Sequence, residues 1–277
     1  MRRQQTQRYV IGSIAILVSF VVFLLPFAFI VIQALKDPAE ASEMSFAWPS
    51  EIVVWQNIGD VLTYNDDMLL KAFVNSGVLT VVSVTIMVVL AAMTGYVLQR
   101  RPSRLNPVIN FFVLAGLIVP PAVVPTIWLL QGLGLFKTLG SMILIEATYG
   151  LSLCILLFRA FVATIPRELD EAAVIDGAGP VRLFFQVVFP LLRPVIVTII
   201  VVQSVAVFND FTGPLYFLPG SDTATVQLTL FNFQTQTLSQ YNLLFTDILL
   251  VTIPPLIMYV FFNRQIVAGM TNGAVKG

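Results

Sequence analysis

From Tyr9 to Leu35 the chain runs 27 residues without a charged side chain. In lipid a segment must satisfy its own backbone hydrogen bonds, so an apolar run of this length is expected to form a membrane-spanning helix. Arg2, Arg3 and Arg8 precede it as in a secretory signal. The run nevertheless far exceeds a signal core of about 7–15 residues, and no small-residue cleavage pattern closes it. Charge-poor runs at about 9–35, 72–98, 108–131, 139–160, 195–217 and 243–263 give six spans. At about 22 residues each they occupy close to half of the chain and leave no room for a sizeable soluble domain. The expected fold is all-α: a polytopic membrane protein with six transmembrane helices, one domain over residues 1–277.

Basic residues orient the spans. Twelve of the fifteen fall on one side: Arg2, Arg3 and Arg8, then Arg100, Arg101 and Arg104, then Arg159, Arg167, Arg182 and Arg193, then Arg264 and Lys276. Only Lys36, Lys71 and Lys137 fall on the other. Both termini and the loop 161–194 are thus expected in the cytoplasm, with the acidic excursion 36–71 outside.

Composition removes whole classes of chemistry. With no histidine and one cysteine, Cys154, the chain has no Ser-His-Asp triad, no Cys-His dyad and no zinc site of its own. Net charge is zero, so no global field recruits nucleic acid. No phosphate-binding Gly-x-x-x-x-Gly-Lys-Ser/Thr occurs, and Gly132 to Lys137 has the wrong spacing for one. The chain is therefore expected to be neither an ATPase nor another enzyme.

Prolines and glycines interrupt several spans, at Pro26, at Pro120, Pro121 and Pro125, at Gly213-Pro214 and at Pro254-Pro255. Each frees a backbone carbonyl, which neighbouring helices or a water-filled cavity must satisfy. Phe208, Asn209, Asp210, Phe211 and Tyr216 flank one break. Their amide, carboxylate and aromatic faces suit a sugar in a transport pathway, but the same Asn209 and Asp210 could instead serve to satisfy the broken helix. Asp210 lies about 22 Å from the inner end of span five by helical rise, in the outer half of the bilayer. An ionisable group there is a functional candidate by default. Glu146 and Asp247 are expected near outer helix ends, in solvent.

The loop 161–194 carries the densest local signals. Thr164 is expected to cap a helix whose first turns hold Pro166, Glu168, Asp170 and Glu171, acids that the helix dipole favours. Gly177 and Gly179 stop it, and Pro180 starts a second helix running to Pro190. Leu169, Ala172, Ala173 and Asp176 share one face of the first helix. The two alanines allow close approach of a partner, with Glu171 beside them as a charged anchor. An interfacial helix lying on lipid would be expected to carry basic flanks and bulkier apolar residues.

Glu171-Ala172-Ala173, three residues, Gly177, nine residues, then Val187-x-Phe189-Pro190 resembles the cytoplasmic signature of permease subunits of ATP-binding-cassette importers, with Val and Phe in place of the usual Ile and Leu. Further matches point to the carbohydrate branch typified by the maltose permease subunits: Asn75-Ser76, Tyr96 with Arg100, Pro120 and Pro125 before Leu133-Gly134-Leu135 and Thr138, and Phe208-Asn209-Asp210-Phe211-x-x-Pro214-Leu215. The ending, Gln265-x-Val267-x-Gly269-Met270-Thr271 through Gly273 to Gly277, is similar to that of the branch's smaller permease subunit.

The resemblance implies a subunit that forms half of a translocation pathway for a sugar or oligosaccharide in a bacterial cytoplasmic membrane. Glu171, Ala172, Ala173, Asp176, Gly177, Ala178 and Gly179 would dock on the ATPase as a coupling helix, and Gly273, Lys276 and Gly277 would reach between the two ATPase subunits. Implied partners are a second permease subunit in a heterodimer, two nucleotide-binding subunits that bind ATP and Mg, and an extracytoplasmic solute-binding protein, besides lipid. A permease for polyols or glycerol phosphodiesters, or less readily a self-standing secondary transporter, are the alternatives.

Overall fold

The computed structural model describes residues 2–220, 222–230 and 240–274, with side chains described only from Gly12 to Phe262. Among the described residues every regular element is helical: α1 (Arg2–Leu35), α2 (Pro38–Ser42), α3 (Val54–Arg100), α4 (Asn106–Ile118), α5 (Val123–Gly132), α6 (Leu139–Val162), α7 (Glu168–Ile175), and then helices over Pro180–Leu191, Arg193–Phe208, Thr212–Phe217 and Tyr241–Ala274. Four of them are long and apolar enough to cross a membrane alone, and six crossings result if each of two bent pairs counts as one. The chain is thus an all-α polytopic membrane protein.

The bent pairs modify the expected spans. Residues 108–131 do not form one kinked helix: α4 and α5 meet at 114° across the segment holding Pro120 and Pro121. Each proline lacks an amide, and each disfavours the α conformation of the residue before it, so the ladder stops at Ile118. The pair Pro180–Leu191 and Arg193–Phe208 meets at 75°. Pro26, Pro254 and Pro255, by contrast, lie inside continuous helices. In α3 the break is made without proline. Asn65, Asp66 and Asp67 take φ of 48°, 59° and 58°, left-handed values that Asn and Asp accept more readily than most residues.

The helices distribute over two compact units. One draws on the chain up to Leu70 and on Thr229–Ile253. Here Asn57 Nδ2 donates to the carbonyls of Ala34 and Lys36, both at 2.9 Å, which closes the end of α1, and Asn242 Nδ2 donates to Asn57 Oδ1 at 2.7 Å. Lys36 is buried and donates to Ser45 O at 2.7 Å. Asp247, expected in solvent, is instead fully buried and accepts from Thr229 Oγ1 at 3.0 Å. It stands a turn and a half inside its helix, where neighbouring chain covers it.

The second unit draws on Lys71–Leu228 and the chain from Pro254. Its core joins Met87, Ala91 and Ala92 of α3 to Cys154 and Phe158 of α6 and to Leu192 and Ile199 beyond. Small residues set how closely the helices approach. A Cβ on Gly95 would fall 2.9 Å from both Arg159 N and Phe158 Cβ, so α3 and α6 cross there with no space to spare. Asn75 Nδ2 donates to the carbonyls of Asp222 and Ala224, and Ser76 Oγ accepts from Val226 N at 3.0 Å.

Candidate functional site

Two features of the second unit bear on function, the helical loop after α6 and a cleft among the spans. The helix expected from Thr164 begins later. Thr164 Oγ1 donates to Phe161 O at 2.7 Å and so belongs to the end of α6, and α7 starts at Glu168 with Pro166 outside it. A hydroxyl so close to a helix end finds the carbonyls it has just left before the amides ahead. Glu168, Asp170 and Glu171 occupy the first turn as expected.

At its other end α7 closes with a left-handed residue. Gly177 has φ of +79°, its amide donates to Val174 O at 3.0 Å, and the Ala178 amide reaches back to Ala173 O at 2.9 Å. This pair of bonds is the Schellman arrangement that satisfies the last carbonyls. Pro180 opens the next helix, which contains a π-helical stretch at Leu183–Val188 packed against α7.

Packing divides α7 into two sides. Ala173 joins the core, so the two alanines do not present one surface as expected: about 100° of helical rotation separates neighbours, and only Ala172 stays open. Glu171 is exposed, and Val174 and Ile175 show 58% and 85% of their surface. On the inner side Asp170 meets α3. Its Oδ2 lies 3.0 Å from Arg100 Nε and accepts from the Tyr96 hydroxyl at 3.3 Å, while Arg100 Nη2 donates to Ile165 O at 2.7 Å. The outcome is a short acidic helix with an apolar tip, packed against the spans from behind and uncovered in front.

The cleft has a volume of about 540 Å³ and is walled by α4, α5, α6 and the helices Arg193–Phe208 and Thr212–Phe217. Of the five span-five residues singled out, Asp210 and Tyr216 line it. Phe208 is buried, Phe211 lies off the lining, and Asn209 ties the break together. Its Nδ2 donates to Val205 O at 2.9 Å and its Oδ1 accepts from Gln227 Nε2 at 3.1 Å. Asp210 also serves the break, accepting from the amides of Thr212 at 3.1 Å and Gly213 at 3.0 Å. A Cβ on Gly213 would fall 2.3 Å from Asp210 Oδ2, so this turn accepts only glycine without rearrangement.

Glu146, expected in solvent, is only 8% exposed, lines the same cleft and lies against Asp210. It sits seven residues inside α6, about 10 Å down the helix. Gln203, Tyr149 and Gly150 complete this wall. No group of three or more His, Cys, Asp or Glu side chains is placed to hold a metal ion among the described residues. At the C-terminus Gly273 is described only as helix backbone, and Lys276 and Gly277 lie outside the described residues.

Residues 87–271, which include α7 and the whole cleft, match the family described as the binding-protein-dependent transport system inner membrane component. The chain belongs to that family. Among curated members it is 28% identical over 256 residues to the melibiose/raffinose/stachyose import permease protein MelC of Bacillus subtilis, covering 91% of each chain. To the trehalose transport system permease protein SugB of Mycobacterium tuberculosis it is 30% identical over 221 residues, covering 77% of this chain and 80% of that one. Among solved structures it superposes with a TM-score of 0.81 on a chain of a bacterial ABC transporter that imports the acidic polysaccharide alginate, at 19% identity and covering 95% of this chain and 97% of the other. That likeness establishes the shared permease fold.

Proposed function

We propose that this family member is one permease subunit of an ATP-binding-cassette importer for a sugar or oligosaccharide. It pairs with a second permease subunit and receives cargo from a solute-binding protein outside. Two ATPase subunits, which bind ATP and Mg, dock on the cytoplasmic side, where both termini lie. The single observation that carries this reading is α7: Asp170 and Ala173 fasten it to the spans while Glu171, Val174 and Ile175 remain uncovered. A helix held on one side and bare on the other suits a rigid knob in a partner's groove. Gly177, Ala178 and Gly179 form the turn behind it, with Asp176 at its C-terminal cap. Gly273, Lys276 and Gly277 supply a further contact to the ATPase pair. The carbohydrate assignment is supported by the sugar permeases among the relatives, and the cleft beside Asp210 and Tyr216 is the natural pathway wall.

Reconstitution tests the reading. In proteoliposomes, uptake of raffinose, maltotriose or trehalose is expected only when the second permease subunit, ATPase, binding protein and ATP are all present. Uptake by this chain alone, driven by an ion gradient, would make it a secondary transporter instead.

A further inference from the structure

We propose that Glu146 and Asp210 make the cleft a subsite for uncharged sugar residues and turn away sugars bearing carboxylate or phosphate. The proposal rests on the cleft being part of the transport pathway.

The cleft holds an unused acceptor. Glu146 is more than nine-tenths buried, and its Oε1 has no hydrogen-bond donor among the described residues. A buried polar atom without a partner costs free energy and calls for a ligand that supplies one. Its neighbour Asp210 is an acid as well, and both Asp210 oxygens already accept from the amides of Thr212 and Gly213. Any proton the two acids share lies in the side-chain hydrogen bond between them, so the pair asks a ligand for donors and has none to give it.

Sugar hydroxyls are such donors, and bonds from them to a carboxylate are stronger than bonds between neutral groups. Tyr149 and Tyr216 add aromatic faces in the same cleft, and Gln203 offers an amide. The volume of about 540 Å³ falls within the roughly 300–1,000 Å³ of small-molecule sites. An anionic sugar meets the opposite situation. Whether the pair carries one negative charge or two, its field repels a second anion, and repulsion is strong where the dielectric is low. The fold does not decide this property, since a chain of the same fold belongs to an importer of an acidic polysaccharide. The side chains at 146 and 210 do.

The test uses the assembled permease pair with its ATPase and without the binding protein, which removes that protein's own selectivity. A reporter thiol is placed at Leu153, which lines the cleft at 40% exposure, as Leu153→Cys in a Cys154→Ser background. Raffinose and maltotriose should protect it from a maleimide at concentrations where trigalacturonate does not. Adding Glu146→Gln should raise the half-protecting concentration of the neutral sugars about tenfold, the cost of losing one hydrogen bond to the acid pair, and should narrow the gap to trigalacturonate. Glu146→Asp keeps the carboxyl group and should keep the rejection, and co-purification of the ATPase separates loss of the site from loss of the fold. Equal protection by charged and neutral sugars would leave the pathway standing and overturn the charge selection. So would protection curves unmoved by Glu146→Gln. Protection by neither class, in a complex that imports sugar when its binding protein is supplied, would place the cleft outside the pathway and overturn both.

Discussion

Arg100, the last residue of α3, lies 3.0 Å through its Nε from Asp170 Oδ2 on α7, with the side chains only 8% and 16% exposed. The pair joins the end of one span to a helix 70 residues further on, and Arg100 also holds the chain leading into that helix through Ile165 O. These contacts tie α7 directly to α3.

Removing one member should therefore loosen α7 more than losing a surface ion pair would. A largely buried pair broken on one side costs about 3 kcal/mol, against up to about 1 kcal/mol for an exposed one. Arg100→Ala is expected to speed amide exchange over residues 168–176 and to lower ATPase co-purification. Exchange at wild-type rates would show that other contacts hold α7 in place.

Gly177→Pro should also uncouple the complex, by a different route. Proline cannot adopt the φ of +79° seen there, and it removes the amide that bonds Val174 O. Gly177→Ala keeps the amide and carries only the left-handed strain of about 1–2 kcal/mol, so it should be milder. Measuring ATPase co-purification for both variants checks the order.

Asp210→Ala is expected to cut uptake about tenfold or more, since it deletes one of the cleft's two acids and the caps on Thr212 and Gly213 together. Complex assembly and basal ATP hydrolysis should remain. Unchanged transport kinetics would reduce Asp210 to helix architecture.

Deleting Gly273 to Gly277 should lower sugar-stimulated ATP hydrolysis while the spans stay folded. Full transport by the truncated chain would show that the tail makes no needed contact.

These residues also show which parts of the molecule were readable in advance. The all-α, membrane-spanning character was, because lipid permits so few solutions for long uncharged runs. The stop of α7 was, because a glycine at the end of an amphipathic run has a specific conformational use. The burial of Glu146 and Asp247 was not, because distance along a helix does not reveal what covers it: each lies within about two turns of a helix start yet is buried. Arg100 and Asp170 were each visible, but their pairing depends on how α3 and α7 pack, and no local pattern encodes that. The break at Asn209–Asp210 was legible as a break, and its partner across the cleft was not.

The most direct test of the account is ATPase co-purification with Glu171→Lys. Glu171 stands on the uncovered side of α7, so a basic group of the ATPase is expected to pair with it in the docked complex. Losing one partner of such a desolvated pair costs about 2–5 kcal/mol, and reversing its charge adds repulsion. Glu171→Lys is expected to abolish transport and release or uncouple the ATPase, while Glu168→Lys, about one turn earlier, has a milder effect. Wild-type co-purification and sugar-stimulated hydrolysis with Glu171→Lys would contradict it, because α7 would then not be the element through which ATP hydrolysis reaches the spans.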